Sequence, residues 1–138
     1  MMAFRTALSL VNGSVAVGVG GAILFVPESV FGRFGILDAA SPDLLSELRA
    51  PGAALLAAGA FMLVSAWKRR LRRAASLLAL LVYGSYAVGR LVSWTLDGMP
   101  SGPLLAAMAV EVLLAALSLL ALQRPAVGFP AAGRGRWA

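Results

Sequence analysis

The sequence contains no cysteine and no histidine. The first absence rules out disulfides and thiol chemistry, and leaves the redox compartment open. The second removes zinc sites of the usual kind, haem ligation by histidine and imidazole general-base catalysis. Neither a metal site nor a cofactor is therefore expected. Charge is also scarce. Only 13% of the 138 residues are charged, where soluble domains carry about 25%. Acids are scarcer than bases, with six Asp and Glu against twelve Lys and Arg.

What is present in quantity is apolar surface. Hydrophobic residues make up 60% of the chain, more than a domain of this size can hide from water. The bilayer is the natural solvent, and membrane lipids are the expected surroundings. A formal charge of +6 could point to nucleic acid. Here the basic residues fall between apolar segments rather than on a soluble face, so no nucleic-acid partner is expected.

Four apolar segments stand near the roughly 20 residues needed to cross the hydrocarbon. They run over about Thr6–Val26, Asp43–Trp67, Ala74–Leu96 and Pro103–Leu122. The first is long for a signal-peptide core and is followed by no clear small-x-small cleavage site, so an uncleaved membrane helix is favoured. The fold class expected is all-α, a four-helix transmembrane bundle over residues 1–124, with a basic, loosely ordered tail over 125–138 rich in Gly, Pro, Ala and Arg.

The connectors orient it. Lys68-Arg69-Arg70-Leu71-Arg72-Arg73 is short and strongly basic, which places it in the cytoplasm by the positive-inside rule. An even number of helices then puts both termini there, in agreement with Arg5, Arg124, Arg134 and Arg136. Glu28, Asp38, Asp43, Glu47 and Asp97 all fall in or beside the opposite connectors. The basic loop reads first as a topology signal, and more sharply as an anionic-lipid site. The expected location is a bacterial cytoplasmic (inner) membrane.

Helix ends carry local signals. Ser41-Pro42-Asp43 reads as an N-cap, a first-turn proline and an acid at the positive helix end. Asp97-Gly98-Met99-Pro100 ends the third segment in a turn. Ser101 or Gly102 would cap the fourth, and Trp67 and Trp94 fall near opposite interfaces. Small residues crowd the first segment (Gly13, Ser14, Gly18, Gly20, Gly21) and the second (Ala53, Ala54, Ala57, Ala58, Gly59, Ala60). Such faces let helices approach closely in lipid. Packing of these two helices on each other is the first reading, and a homodimer or larger membrane complex the second. Asn12 is expected to hydrogen-bond a neighbouring helix.

One charge stands out. Glu111 lies alone in Leu104–Leu122, where a single carboxylate costs on the order of 3 kcal/mol to insert. It follows Pro103 by eight residues, a depth of about 12 Å at 1.5 Å per residue. Arg90 precedes Asp97 by seven, about 10 Å deep from the same side. The short turn makes the two helices antiparallel neighbours, so Arg90 and Glu111 are expected to pair. Tyr83, Tyr86, Arg90, Ser93 and Asp97 follow i, i+3, i+7, i+10, i+14 and form one polar stripe. Small residues Ala107, Ala115 and Ser118 share the face of Glu111.

Glu47 and Arg49 differ by about 200° around the second helix, so only one can face the same pocket. Glu47 is the choice, with Arg49 directed outward. Pro51 frees a carbonyl there that could accept from Arg90 or water. The candidate ligand-binding or buried polar cluster is Glu47, Arg49, Tyr83, Tyr86, Arg90, Ser93, Asp97 and Glu111. A structural ion-pair network fixing helix register is the alternative to a ligand site.

Several of these residues carry a resemblance. Ser46-Glu47-Leu48-Arg49-Ala50, Tyr83-Gly84, Gly89-Arg90-Leu91-Val92-Ser93, Asp97-Gly98-Met99-Pro100-Ser101 and Glu111 together resemble small bacterial four-helix membrane proteins of the domain of unknown function 4345 family. The resemblance extends to about Leu122. It implies the four-helix fold and the importance of Glu47, Arg49, Arg90, Asp97 and Glu111, and it names no activity.

Three functions remain open on the sequence. The first is a non-enzymatic membrane protein that binds a lipid-like or amphiphilic molecule, or serves as an accessory subunit, through an outer-leaflet polar cluster. The second is an enzyme acting on a lipid or isoprenoid by carboxylate acid–base chemistry, with Glu111 as acid and Tyr86 or Glu47 as second proton carrier. The third is a small proton-coupled transporter, which an arginine beside Glu111 disfavours.

Overall fold

The computed structural model describes residues 2–33 and 41–123. Asp38, Arg124, Arg134 and Arg136, and the tail over 125–138, lie outside the described residues. The elements are α1 (Met2–Phe25), α2 (Pro27–Gly32), α3 (Pro42–Trp67), a single 3-10 turn (Arg69–Leu71), α4 (Arg72–Asp97) and α5 (Gly102–Gln123). No strand occurs among the described residues. The four long helices are each long and apolar enough to cross a membrane, as in a four-helix membrane bundle, and the described residues are almost wholly helical.

The long helices fall close to the expected segments, and their ends follow the local chemistry. Ser41 caps α3 by accepting the Leu44 N–H on its hydroxyl at 3.2 Å, with Pro42 and Asp43 in the first turn. Gly98 ends α4 at φ +98°, a left-handed conformation that a side chain would strain. The Ser101 carbonyl accepts from Leu104 and Leu105 and starts α5. Two helices extend past expectation, because α1 starts at Met2 and α4 at Arg72. The short α2 was not anticipated. Pro27 in its first turn and Glu28 beside it are the helix-start signals that could have revealed it.

Two hairpin-like pairs build the bundle. In the first, α1 lies against α3 at backbone distance. A Cβ added to Gly59 would sit 2.6 Å from the Val17 nitrogen, and one added to Gly20 would sit 2.5 Å from the Leu56 nitrogen. Gly13 and Gly52 are equally crowded, by Leu63 and by Ile23 and Leu24. The expected packing of the two small-residue helices on each other is what the structure shows. In the second pair, α4 and α5 run antiparallel through the turn at Gly98–Ser101.

The pairs meet mainly toward the end that carries Lys68–Arg73, here called the basic end. Ala16, Leu55, Met62, Ala75, Ala79, Tyr83 and Leu114 form the core there and at mid-depth. Polar links tie the same region. Asn12 donates from Nδ2 to the Ser118 hydroxyl at 3.0 Å, and the Tyr83 hydroxyl donates to the Asn12 carbonyl at 2.5 Å. Ser65 donates to Ser9 at 3.0 Å, and Arg5 donates to the Ala121 carbonyl at 2.8 Å. Asn12 therefore bonds neighbouring helices, as expected. Arg72 closes the end of α3 by donating to the Ala66 carbonyl at 2.6 Å.

Toward the opposite end the pairs separate. The buried residues of α4 are Ala75, Ser76, Ala79 and Tyr83, all in its first half. Those of α5 are Leu114, Ser118 and Ala121, all in its second half. Among the described residues no Cα of α3 comes within 8 Å of one of α5. The α1–α3 contact nonetheless continues to Gly20 and Gly52. The result is a wedge, closed at the basic end and open at the other.

Candidate functional site

The wedge decides which polar residues can meet. On α4 the face that is buried at Ala75, Ala79 and Tyr83 continues, at helical spacing, through Tyr86, Arg90, Ser93 and Asp97. On α5 the face of Ala121, Ser118 and Leu114 continues to Glu111 and Ala107. On α3 the face of Met62, Ala58 and Leu55 continues to Pro51 and Glu47. Three helices thus carry their core-facing stripe beyond the last buried residue, and each stripe becomes polar where the core ends.

Arg90 and Glu111 meet as expected. The Arg90 Nε lies 2.9 Å from one Glu111 carboxylate oxygen and 3.1 Å from the other. The side chains keep 28% and 13% of their exposure, so the pair is half-sheltered. The geometry differs from the anticipated two-pronged contact. Both carboxylate oxygens share the single Nε–H. A guanidinium has five N–H donors, and the four on the terminal nitrogens have no partner among the described residues.

The other candidates sort by location. Tyr83 is buried, and its hydroxyl is spent on the Asn12 carbonyl across the bundle. It forms the floor beneath the pair rather than an open ligand contact. Tyr86 is half-buried, stands one turn from Arg90 on the same face, and its hydroxyl has no partner among the described residues. Ser93 is exposed and donates to Asp97 at 2.8 Å, which ties both to each other at the mouth of the wedge. Glu47 is exposed on the wedge-facing stripe of α3 and makes no bond to Arg90 or Glu111. The carbonyl freed by Pro51 receives no hydrogen bond from Arg90, which donates to Glu111 alone.

Arg49 is directed elsewhere. It lines a shallow groove with Leu24, Pro42, Ser46, Ala50 and Ala53, on the far side of α3 from Glu47. The two residues do not share a pocket, in keeping with their spacing on the helix. No three His, Cys, Asp or Glu side chains converge among the described residues.

One polar position on the sequence was noted without its full role. Asn12 is 2% exposed, and its Oδ1 has no partner among the described residues. It stands where α1, α4 and α5 cross, bonded to Ser118 and Tyr83. Its mid-segment position was the available signal, because an amide in an apolar span needs partners.

The whole constellation falls within a recognised sequence pattern. The model of a domain of unknown function, DUF4345, matches residues 4–122. That range holds all but the outermost residues of the four long helices and every candidate residue, and the chain belongs to this family. No curated protein and no solved structure matches the chain.

Proposed function

We propose that this DUF4345 member binds the head of an amphiphilic, lipid-like molecule in the wedge between its two helix pairs, without catalysing a reaction on it. The observation that carries the reading is Arg90. Its terminal nitrogens present four N–H donors without partners among the described residues, at the edge of an apolar layer. Unpaired donors at this depth are costly, and a carbonyl, ester or phosphate oxygen would satisfy them. Tyr86 adds one further hydroxyl on the same face.

The opposite walls suit a tail. Val19 on α1 is 46% exposed and falls on the side of α1 that faces the other pair. Pro51 stands exposed on the wedge-facing stripe of α3. Glu111 is already engaged through both oxygens, which favours binding over exchange of a proton for a cationic substrate. The basic end is assigned to the cytoplasm by the positive-inside rule, so the wedge opens to the outer leaflet.

Lipid analysis of the purified protein tests the reading. The wild-type chain should retain a tailed molecule with an acceptor head, near one per chain, after exhaustive detergent washing. Arg90→Gln should lose at least ten-fold of it, and Ser93→Ala should keep it. An unchanged lipid profile in Arg90→Gln, with only a loss of stability, would leave the pair as a register device. A protein that co-purifies stoichiometrically in place of lipid would favour an accessory subunit.

A further inference from the structure

A second cluster of charge lies far from the wedge. Lys68, Arg69, Arg70 and Leu71 surround a concavity at the basic end. The 3-10 turn over Arg69–Leu71 folds the backbone tightly here, and Lys68 to Leu71 line the concavity it makes. Arg72 takes no part, because it turns inward to the Ala66 carbonyl. Lys68, Arg69 and Arg70 are exposed and have no partner among the described residues.

Among the described residues no carboxylate pairs with them. The six acidic side chains are at positions 28, 38, 43, 47, 97 and 111. Five fall in or beside the connectors at the opposite end. The sixth, Glu111, is twelve residues from the end of α5 and held by Arg90. Twelve residues of helix are about 18 Å, well beyond contact distance, and the charge of Glu111 is already met by Arg90. Three clustered cations at one helix junction thus stand without a counter-ion among the described residues.

The depth of the seat names the anion. Lys68 directly follows the last residue of α3, and the turn leads into α4, so the loop lies where spans end and headgroups begin. Trp67 adjoins it and is 75% exposed, a residue suited to that interface. We infer that Lys68, Arg69 and Arg70 form a seat for the phosphate of one anionic phospholipid, with Trp67 and Leu71 against its glycerol and upper acyl chain.

Tryptophan quenching tests it on the full chain in mixed micelles, with Trp94 and Trp137 replaced by Phe so that Trp67 reports alone. Brominated phosphatidylglycerol should quench saturably at low mole fraction, and brominated phosphatidylcholine should not. Each basic residue near a membrane surface contributes about five-fold to affinity. The triple variant K68Q/R69Q/R70Q should therefore bind roughly 100-fold more weakly. Arg33→Gln, which removes one charge at the opposite end, should bind as the parent does. The expected loss with retained helical circular dichroism supports the seat. Equal quenching by the two lipids, or an unchanged affinity in the triple variant, overturns it. Displacement of the brominated lipid by inorganic phosphate at millimolar concentration would make the ligand a free anion and overturn the lipid assignment. Should the triple variant fail to fold, the single variants R69Q and R70Q carry the test, each expected to lose about five-fold.

Discussion

Alanine at Gly59 is the sharpest perturbation of the first helix pair. Its Cβ would lie 2.6 Å from the Val17 nitrogen, 2.8 Å from the Ala16 Cβ and 2.9 Å from the Gly13 carbonyl oxygen. Carbon contacts are comfortable near about 3.5–4.0 Å, so α1 and α3 must part by roughly 1 Å. Two of the three neighbours are backbone, and no rotamer change relieves them. Insertions of this kind cost about 1–3 kcal/mol. Alanine also gains up to about 1 kcal/mol of helix propensity over glycine, which would blur the measurement. Gly18→Ala supplies the correction, since nothing lies within 4 Å of a Cβ at Gly18. The difference between the two variants should be about 1–3 kcal/mol, read from reversible unfolding in mixed micelles by circular dichroism. Gly20→Ala meets the Leu56 nitrogen across the same helix pair. One outward shift of α1 relieves both collisions, so the Gly20, Gly59 double variant should lose at least ~0.5 kcal/mol less than the sum of the singles. Equal stability of Gly18→Ala and Gly59→Ala would refute the close approach. Strict additivity of Gly20 and Gly59 would refute a rigid shift of the whole helix.

Further outcomes follow from the polar contacts. A double-mutant cycle with Arg90→Gln and Glu111→Gln should give a coupling of about 1–3 kcal/mol, below the roughly 3–5 kcal/mol cost of breaking a fully buried pair, and a coupling near zero would remove the pair from the folded protein. Ser118→Ala strips Asn12 Nδ2 of its acceptor and should cost about 1 kcal/mol, while Ser93→Ala, at the exposed mouth, should stay within about 0.5 kcal/mol in the same unfolding assay. Tyr83→Phe removes a hydroxyl from the Asn12 carbonyl and should cost about 0.5–1.5 kcal/mol, with no change in bound lipid if Tyr83 is floor rather than ligand contact. Arg72→Gln should lower stability by about 1 kcal/mol through the carbonyls it leaves open at the end of α3.

Much of this arrangement could be read from helix length and phase. Counting residues from Pro103 and from Asp97 put Glu111 and Arg90 at one depth, and the short turn made them neighbours, so the pair was legible. The opposite directions of Glu47 and Arg49 followed from two-residue spacing. Less legible was what stands opposite each face. Phase placed Tyr83 with Arg90 on one stripe of α4, but its hydroxyl crosses to α1 because the pairs are closed at that level and open one turn further on. That transition depends on how the two pairs sit against each other, which the Asn12–Ser118 and Tyr83–Asn12 bonds tie across the bundle. No single helix encodes it. Glu47 shows the same limit, facing the wedge without reaching the pair.

The pairing of Arg90 with Glu111 has a consequence for biogenesis. Each charge alone opposes entry into the bilayer by about 2.5–3.5 kcal/mol. Both sit on α4 and α5, joined by the turn at Gly98–Ser101, so they can neutralise each other as that hairpin forms. The hairpin of α4 and α5 thus carries its own counter-ion across the translocon. It needs no counter-charge from α1 or α3 to do so, because Arg90 and Glu111 supply each other's.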